Sequence, residues 1–277
     1  LVASGGGSLS DDEVSVGKAK LNADKVYYGG AAGKSDVNVS DIKLETAEAE
    51  ITASEEVYYG QVAASARNIS NVELKNLVPE IKPADGDMIK SLVFGHVAGS
   101  ATGTVEGFNL EYDGVVVRAN TIKYGGIVGG GSARIVDCYY RGDITALDFE
   151  SAYVGGIAGE AGSVVNCGGK SGGFAAFDGT IHVSGGDADK TSVYVGLVVG
   201  KSNSVTNCTA KGSVIAAWLT SAYVGGIVGY SGSVGYARFE GNVFVDADTI
   251  YAGGAVGEAT SVGNSSVVAK IEVEDYD

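Results

Sequence analysis

Proline, cysteine, methionine and tryptophan are all scarce in this chain. The sequence of 277 residues contains 2 prolines, 3 cysteines, 1 methionine and 1 tryptophan, against 44 glycines. Valine, isoleucine, alanine, serine and tyrosine dominate, and this composition favours strands and tight turns over helices. An odd number of cysteines fits no disulfide framework. We therefore expect an all-β protein.

Positive charge and long apolar runs are lacking too. Lys and Arg total 19 against 34 Asp and Glu, a formal net charge of −15. Such a chain is repelled by phosphate backbones and anionic lipid, so we expect no nucleic-acid partner and no membrane insertion. No run approaches 18 apolar residues, and LVASGGGSLS lacks a basic segment followed by an apolar core. Because a mature secreted chain would begin in the same way, this start does not indicate the cytosol.

One nine-residue pattern recurs through most of the chain. Its eight copies are YYGGAAGKS from Tyr27, YYGQVAASA from Tyr58, VFGHVAGSA from Val93, KYGGIVGGG from Lys123, YVGGIAGEA from Tyr153, YVGLVVGKS from Tyr194, YVGGIVGYS from Tyr223 and YAGGAVGEA from Tyr251. The first shared glycines, which we call anchors, are Gly29, Gly60, Gly95, Gly125, Gly155, Gly196, Gly225 and Gly253. They lie 31, 35, 30, 30, 41, 29 and 28 residues apart, and a fixed period of this length indicates a repeat architecture.

The copy YVGLVVGKS resembles a phosphate-binding loop with one residue too few between its glycines. Only two of the eight copies carry Gly-Lys-Ser, and no strand–helix context accompanies either of them. The repeat therefore replaces the nucleotide-site interpretation.

A second marker follows each anchor by twelve or thirteen residues. It comprises Ile42, Val72, Phe108, Cys138, Cys167, Cys208, Ala237 and Ser265. The preceding residues are Asp41, Asn71, Gly107, Asp137, Asn166, Asn207, Tyr236 and Asn264. Because Asn, Asp and Gly tolerate left-handed backbone, the pattern predicts a bend followed by an inward residue. A third strand-like piece follows in many copies, so each unit offers about three short strands.

A unit of this size cannot bury its apolar face alone, so neighbouring units must stack. We expect a right-handed parallel β-helix, or β-solenoid, of about eight coils of roughly 30 residues. Residues 1–26 form an N-terminal cap or first partial coil, and residues 27–277 form the repeats of a single domain. Longer intervals predict projecting insertions near 75–91 and 168–191.

Glycine and cysteine columns have a structural interpretation in this solenoid. The anchors Gly125, Gly155, Gly196, Gly225 and Gly253 mark sharp turns or close backbone approach. Cys138, Cys167 and Cys208 share a column with aliphatic residues, where buried cysteine acts as a small hydrophobe. No C-x-x-C or histidine partner accompanies them, so we assign no metal site and no cofactor. Stacking could still bring Cys138 and Cys167 close enough to oxidise.

A tyrosine column offers a candidate binding surface, and the two insertions are the best candidates for specificity. Tyr153, Tyr194, Tyr223 and Tyr251 stand two residues before their anchors, and Phe174 and Phe177 lie in the longer insertion. An outward column could stack sugar rings or line a protein interface, whereas an inward one belongs to the core. Both positions before the anchor are apolar in most copies, so both orientations remain open, and we favour a structural role.

Catalytic patterns are weak. The acids Asp143, Asp148, Glu150, Asp187, Asp189, Asp246 and Asp248 cluster loosely in turns, and Glu160 and Glu258 share one phase three copies apart. Acids in such turns are usually solvated, with catalysis or calcium binding as the alternative. His96 occupies the position after its anchor and His182 a third strand, so we interpret both as structural or surface residues. No catalytic residue is assigned, and we expect a protein that is not an enzyme.

The segments Gly126-Ile-Val-Gly129, Gly156-Ile-Ala-Gly159, Gly196-Leu-Val-Val-Gly200 and Gly226-Ile-Val-Gly229, followed in places by Ser-Val-x-Asn-Cys, resemble the GLUG motif. The resemblance spans roughly residues 27–270 and is strongest over 123–243. That motif is associated with large bacterial surface proteins, including filamentous-haemagglutinin-like adhesins and some immunoglobulin A peptidases. The resemblance implies a secreted or surface-exposed β-helical stalk or adhesive module, and the zinc motif of the peptidases is missing.

We therefore expect a non-enzymatic bacterial cell-surface adhesin or stalk module, extracellular or surface-bound, whose partner is a host or microbial surface protein or glycan. The alternative is a β-helical carbohydrate-binding or carbohydrate-active protein that uses exposed tyrosines or acidic turns.

Overall fold

The structure is a computed structural model that describes residues 6–10, 12–46, 48–75, 79–84, 88–112, 114–168, 175–186 and 190–274. Thirty-one strands and no helix occur in these residues. The first ten are β1 Gly6–Ser10, β2 Glu13–Val16, β3 Ala19–Asn22, β4 Lys25–Gly29, β5 Ala32–Lys34, β6 Asp36–Thr46, β7 Ala49–Ala53, β8 Glu56–Gly60, β9 Ala63–Ala66 and β10 Asn68–Leu74. The next eleven are β11 Glu80–Pro83, β12 Ser91–Gly95, β13 Ala98–Ala101, β14 Thr104–Glu106, β15 Asn109–Glu111, β16 Val115–Arg118, β17 Thr121–Gly125, β18 Val128–Gly131, β19 Arg134–Val136, β20 Tyr139–Arg141 and β21 Ile144–Leu147. The last ten are β22 Ser151–Gly155, β23 Ala158–Val165, β24 Phe177–Ser184, β25 Ser192–Gly196, β26 Val199–Thr206, β27 Thr209–Gly225, β28 Val228–Gly235, β29 Arg238–Gly253, β30 Val256–Gly263 and β31 Ser266–Glu274.

These strands stack in parallel as a β-solenoid, which confirms the predicted fold class. Two sheets of 14 strands and one of 3 strands form its walls. The position two residues before the anchor aligns from copy to copy, as in Tyr27 with Tyr58, Lys123 with Tyr153, and Tyr194 with Tyr223. Each repeat is therefore one coil, which we call a rung and number 1 to 8 from Gly29 to Gly253. Below rung 1, strands β1, β2 and β3 pair with β6 and β7 as a partial coil.

Each rung has a first wall that ends at the anchor glycine, a second wall that ends at the marker bend, and a third wall. The predicted bends occur in all eight rungs. Backbone φ is positive at Asp41, Asn71, Gly107, Asp137, Asn166, Asn207, Tyr236 and Asn264. Asn, Asp and Gly reach this left-handed region with the least strain, which explains their recurrence.

The interior of each rung is filled by residues of complementary size. Phe177 of rung 5 and Phe239 of rung 7 pack over Gly156 and Gly226, where an added Cβ would overlap the ring and a backbone oxygen. In rung 6, Leu197 stands at the position of these glycines, and Ala210 aligns between the two phenylalanines. Each of these rungs has room for one large side chain at this pair of positions. Rungs 5 and 7 combine a glycine with a phenylalanine, and rung 6 combines Leu197 with Ala210.

The residue just before the anchor points into the core. Rungs 1 to 4, the lower rungs, place Tyr28, Tyr59, Phe94 and Tyr124 there, all buried. Rungs 5 to 7 place Val154, Val195 and Val224 at this position, also buried, and rung 8 places the half-buried Ala252. Rungs 5 to 8 are the upper rungs.

The third wall is interrupted between rungs 2 and 3. In the described part of the chain β11 pairs with β7 alone and β16 with β21 alone. Ala84 donates its N–H to Ala53 of β7. Because alternate residues of a strand direct their backbone groups to opposite sides, the backbone groups of positions 79, 81 and 83 face β16. Pro79 and Pro83 have no N–H to donate. The resulting cleft has a volume of about 230 Å³ and is lined by β11, Pro79, Leu92 and β16.

The two predicted insertions are described only in part. Residues 76–78 and 85–87 of the first, and 169–174 and 187–189 of the second, lie outside the described residues. The described part of the first insertion contains β11 and its proline positions. In the second, Gly168 and Ala175 form an antiparallel bridge, in contrast to the parallel pairing of the strands.

Candidate functional site: the outer tyrosine ladder

The outward tyrosines of the upper rungs lie in one column of the first wall. Residues along β22 and β25 alternate between buried and half-buried, with Tyr153 and Tyr194 on the outer side. In-register parallel pairing continues the column through Tyr223 to Tyr251. We call these four residues the outer tyrosine ladder. The orientation that the sequence left open is therefore outward.

The rings of the ladder stack on one another. Ring centroids are 5.2 Å apart between Tyr153 and Tyr194, 4.5 Å between Tyr194 and Tyr223, and 4.5 Å between Tyr223 and Tyr251, with interplanar angles of at most 9°. Each internal ring therefore has both faces covered by its neighbours. Ring edges and phenolic hydroxyls are the parts that face the solvent.

Charged and aromatic side chains from the second wall border the ladder. The Lys201 ammonium lies 5.6 Å from the Tyr153 ring centroid and 5.8 Å from that of Tyr194. Tyr230 meets the Tyr194 ring edge to face at 6.2 Å. Lys123 continues the column below Tyr153 and forms a 2.5 Å ion pair with Glu160. Cations at this distance from tyrosine rings are attracted by the ring quadrupole, so Lys201 is held against the ladder.

Partial burial raises the pKa of the Tyr194 and Tyr223 phenols above the usual value. These hydroxyls therefore remain protonated at neutral pH, able to donate as well as accept hydrogen bonds. The face offers repeated hydroxyls, apolar ring edges and the Lys201 cation.

A similar but shorter stack lies at the opposite end of the rod. Tyr27 and Tyr58 occupy the same column, with ring centroids 4.9 Å apart. Tyr27 donates a hydrogen bond to Glu56, and the Lys34 ammonium lies 4.6 Å from its ring centroid. Val93 and Lys123 separate this pair from the outer tyrosine ladder.

The two phenylalanines proposed for the binding surface have different outcomes. Phe177 is 0% exposed, and its ring stacks on Tyr140 at 6.1 Å besides covering Gly156. Its inclusion in an exposed surface was wrong, because Phe177 begins the third-wall strand β24 and points into the core. Phe174 lies outside the described residues.

His96 belongs to a buried aromatic cluster of the lower rungs. It is fully buried, stacks on Tyr112 at 3.7 Å, and places Nε2 3.3 Å from the Tyr140 hydroxyl. Tyr112 donates in turn to Gln61 at 3.0 Å. Burial lowers the pKa of His96 to about 3, so the ring is neutral at physiological pH. This position agrees with the structural interpretation, and His182 lies half-buried in β24.

Two of the turn acids engage local partners. Asp143 accepts a hydrogen bond from the Thr180 backbone at 2.8 Å, and Asp148 forms an ion pair with Arg118 at 2.9 Å. Glu150 and Asp248 are exposed, whereas Asp187 and Asp189 lie outside the described residues. Asp246 buries one carboxylate oxygen that has no hydrogen-bond partner in the described part of the chain.

The cysteines occupy the interior column that the repeat predicted. Cys138, Cys167 and Cys208 are free thiols, each at most 1% exposed. Burial raises the pKa of Cys138, and the neighbouring Cys167 together with burial raises that of Cys208. Over the described ranges no group of three or more His, Cys, Asp or Glu side chains is arranged to hold a metal ion.

Comparisons with protein-family models, curated proteins and solved structures each found no match to this chain. Among the residues that the structure describes, no helix is long and apolar enough to span a membrane.

Two features of the surroundings were missed from the sequence. The association of Lys201 and Tyr230 with the ladder joins two walls, and no local pattern marks it. The buried cluster around His96 had a detectable signal, because Gln61 and His96 replace glycine at the same position in consecutive copies. Polar residues of this size at an inward position indicate an internal hydrogen-bonding partner.

Proposed function

We propose that this chain is a non-enzymatic adhesin or stalk module of a bacterial cell surface, and that it binds a partner protein through the outer tyrosine ladder. The observation that carries the proposal is a row of four outward tyrosines, bordered by Lys201, on one side of a stacked rod. Tyrosine is enriched at protein interfaces because one side chain supplies both apolar area and a hydroxyl. The resemblance to GLUG-type surface proteins supports the same location and role.

The ring stacking favours a protein partner over a saccharide. Sugars bind aromatic side chains by lying flat on an open ring face, whereas the internal rings of the ladder cover one another. Ring edges and hydroxyls instead suit a protein surface that contacts several rungs at once. Lys201 favours a partner with an acidic or carbonyl-rich patch against the ladder.

One observation favours the carbohydrate alternative at a single place. Tyr251 is the last of the four rings, is 44% exposed, and stacks with Tyr223 on one side. A saccharide that lies on the other face of this ring would make the chain a carbohydrate-binding protein. This site would depend on Tyr251 and not on the internal rings.

The test is binding of the labelled, purified chain to an array of extracellular-matrix proteins and to a glycan array, with and without calcium. Tyr194→Ala combined with Tyr223→Ala should weaken protein binding by roughly tenfold or more, as removal of interface hot spots does. Tyr27→Ala combined with Tyr58→Ala is the matched control, because it removes a stacked pair from the same column elsewhere.

Equal loss from both double variants, or no binding to any arrayed protein, would overturn the protein-binding proposal. Glycan binding that is lost with Tyr251→Ala and kept by the Tyr194 and Tyr223 variant would establish the carbohydrate alternative. Circular dichroism and thermal unfolding of every variant confirm that the rod is folded.

A further inference from the structure

The three cysteines lie in consecutive rungs of one interior column. Cys138, Cys167 and Cys208 belong to rungs 4, 5 and 6. Thr209 donates its N–H to the Cys167 oxygen, which places Cys208 over Cys167, and Val136 aligns with Val165, which places Cys167 over Cys138. At the two ends of the column, Tyr139 donates to the Phe108 oxygen and Arg238 to the Cys208 oxygen. Ala237 occupies the same column in rung 7. The interior therefore contains a line of thiols bounded by Phe108 and Ala237.

The thiols adopt the same orientation in all three rungs. Each sulfur contacts the carbonyl oxygen two residues earlier in its own rung, at 3.3 Å for Cys138, 3.6 Å for Cys167 and 3.4 Å for Cys208. Each also leans towards the rung below. Cys138 reaches the Val105 oxygen at 3.9 Å, Cys167 accepts from the Cys138 N–H at 3.5 Å, and Cys208 reaches the Val164 oxygen at 3.6 Å.

Identical orientations keep the sulfurs separated by the rung repeat, about 4.8 Å. A disulfide needs Cβ atoms about 3.5–4.5 Å apart and a bond of about 2.0 Å, so stacked parallel strands would have to distort to form one. Two metal–thiolate bonds of about 2.3 Å placed end to end span about 4.6 Å. The spacing therefore suits a linear sulfur–metal–sulfur unit better than a disulfide.

We propose that Cys167, with either Cys138 or Cys208, binds one soft metal ion in two-coordinate, linear geometry. The ligand class is a thiophilic ion such as Cu(I) or Hg(II), because thiolates select soft metals and two ligands suffice for linear coordination. This donor set differs from the groups of three or more ligands that a zinc site requires.

Charge and proton balance agree with the apolar surroundings. Hg(II) displaces one proton from each of two thiols and leaves a neutral bis-thiolate, and Cu(I) gives a neutral unit when it displaces one proton and the second thiol keeps its own. A neutral unit avoids the large cost of an unpaired buried charge. Proton release makes metal binding stronger as pH rises.

The middle cysteine is the critical one. With Cys138→Ala, the pair Cys167 and Cys208 remains one rung apart, and with Cys208→Ala, the pair Cys138 and Cys167 remains. With Cys167→Ala, the remaining thiols are two rungs apart, about 9.6 Å, beyond the reach of one linear ion. Alanine fits this column, as Ala237 demonstrates in rung 7.

The experiment refolds the reduced full chain with Hg(II), Cu(I) or Zn(II), removes free metal, and counts bound ions by native mass spectrometry. The original chain, Cys138→Ala and Cys208→Ala should each retain one Hg(II) or Cu(I) ion, with a higher melting temperature than without metal. Cys167→Ala should lose both the retained ion and the shift, and Zn(II) should not be retained.

Equal retention by Cys167→Ala and the two outer variants would overturn the proposal, since it would mean binding to single thiols. Loss of the ion from all three variants would overturn it too. A chain lighter by two hydrogen atoms and free of metal would establish a disulfide instead. Circular dichroism of each refolded variant separates lost binding from lost folding.

Discussion

At the inward position of the first wall the lower rungs place aromatic rings, whereas the upper rungs place smaller residues there and carry a tyrosine at the outward position in every rung. Tyr59 and Phe94 stack at 5.0 Å inside the lower half. At the same inward position the upper half has Val154, Val195 and Val224, while its tyrosines stack at 4.5–5.2 Å on the outside.

The comparison teaches that one backbone repeat accepts two distributions of side-chain volume. In rungs 5 and 7 the third wall supplies Phe177 and Phe239 over a glycine while the first wall supplies valine, whereas rung 4 buries both Tyr124 of the first wall and Tyr140 over Gly126. Close packing requires that the side chains of each rung fill its interior, whichever wall supplies them. A ring that is not needed inside can occupy the outer column and serve in binding.

The largest expected effect comes from breaking the size balance of rung 7. Gly226→Leu should lower the free energy of unfolding by about 3 kcal/mol, because the new side chain overlaps the Phe239 ring and the Gly254 oxygen. Adding Phe239→Ala recreates the Leu197 and Ala210 arrangement of rung 6. The double variant should recover at least half of the loss in urea denaturation. A double variant less stable than Gly226→Leu alone would refute the size rule.

A smaller effect concerns the pH dependence of the free energy of unfolding, which should differ between the lower and upper rungs. The folded pKa of His96 is about 3, against about 6.5 in an unfolded chain, so the unfolded state binds the extra proton first as pH falls. Stability is unaffected by this group above pH ~6.5 and decreases below it, by about 2 kcal/mol at pH 5.

Urea denaturation at pH 7.5 and pH 5 measures this difference. His96→Gln is the matched control, because Gln61 occupies the same position in rung 2, and it should remove most of the loss. At pH 5 the protection of backbone amides from hydrogen exchange should fall first in the lower rungs. An unchanged pH dependence in His96→Gln would show that other groups cause the loss.

The smallest effect concerns the bend of rung 7. Tyr236 adopts a φ of 54° and is 63% exposed, whereas six of the other seven bends use Asn or Asp and rung 3 uses Gly107. Left-handed backbone costs most residues roughly 1–2 kcal/mol, and asparagine less. Tyr236→Asn should therefore raise the free energy of unfolding by about 1 kcal/mol, measured by urea denaturation. Asn166→Ala, the reverse test in rung 5, should lower it, and a loss of stability in Tyr236→Asn would count against the strain argument.

The rungs and their bends were predictable because both depend on local chemistry repeated at a fixed phase. The recurrence of glycine located the close backbone approaches, and the recurrence of Asn or Asp located most of the left-handed bends. At Tyr236 only the position within the repeat indicated a bend. The orientation of the tyrosines was not predictable, since apolar residues occupy both adjacent positions in most copies. Which of these two positions is buried depends on the side chains that the third wall brings into the core. That packing joins residues far apart in the sequence.

Phe177 illustrates the same limit. It follows a glycine-rich stretch within the longest interval between anchors, so the local sequence is typical of a projecting loop. Its alignment with Tyr140 and Ala210 in neighbouring rungs, which places it in the core, depends on pairing across that interval. The structure therefore places the tyrosine column outside, which is one of the two orientations left open, and contradicts the placement of Phe177 on an exposed surface.

The proline positions of β11 have a mechanical consequence. A rod pulled from its two ends loads the contacts between successive rungs in series, so extension begins at the interface with the least resistance. Between rungs 2 and 3 the described third-wall strands β11 and β16 are not paired with each other. Tension should open the rod there first, so that the partial coil and rungs 1 and 2 separate from rungs 3 to 8 while the outer tyrosine ladder stays intact.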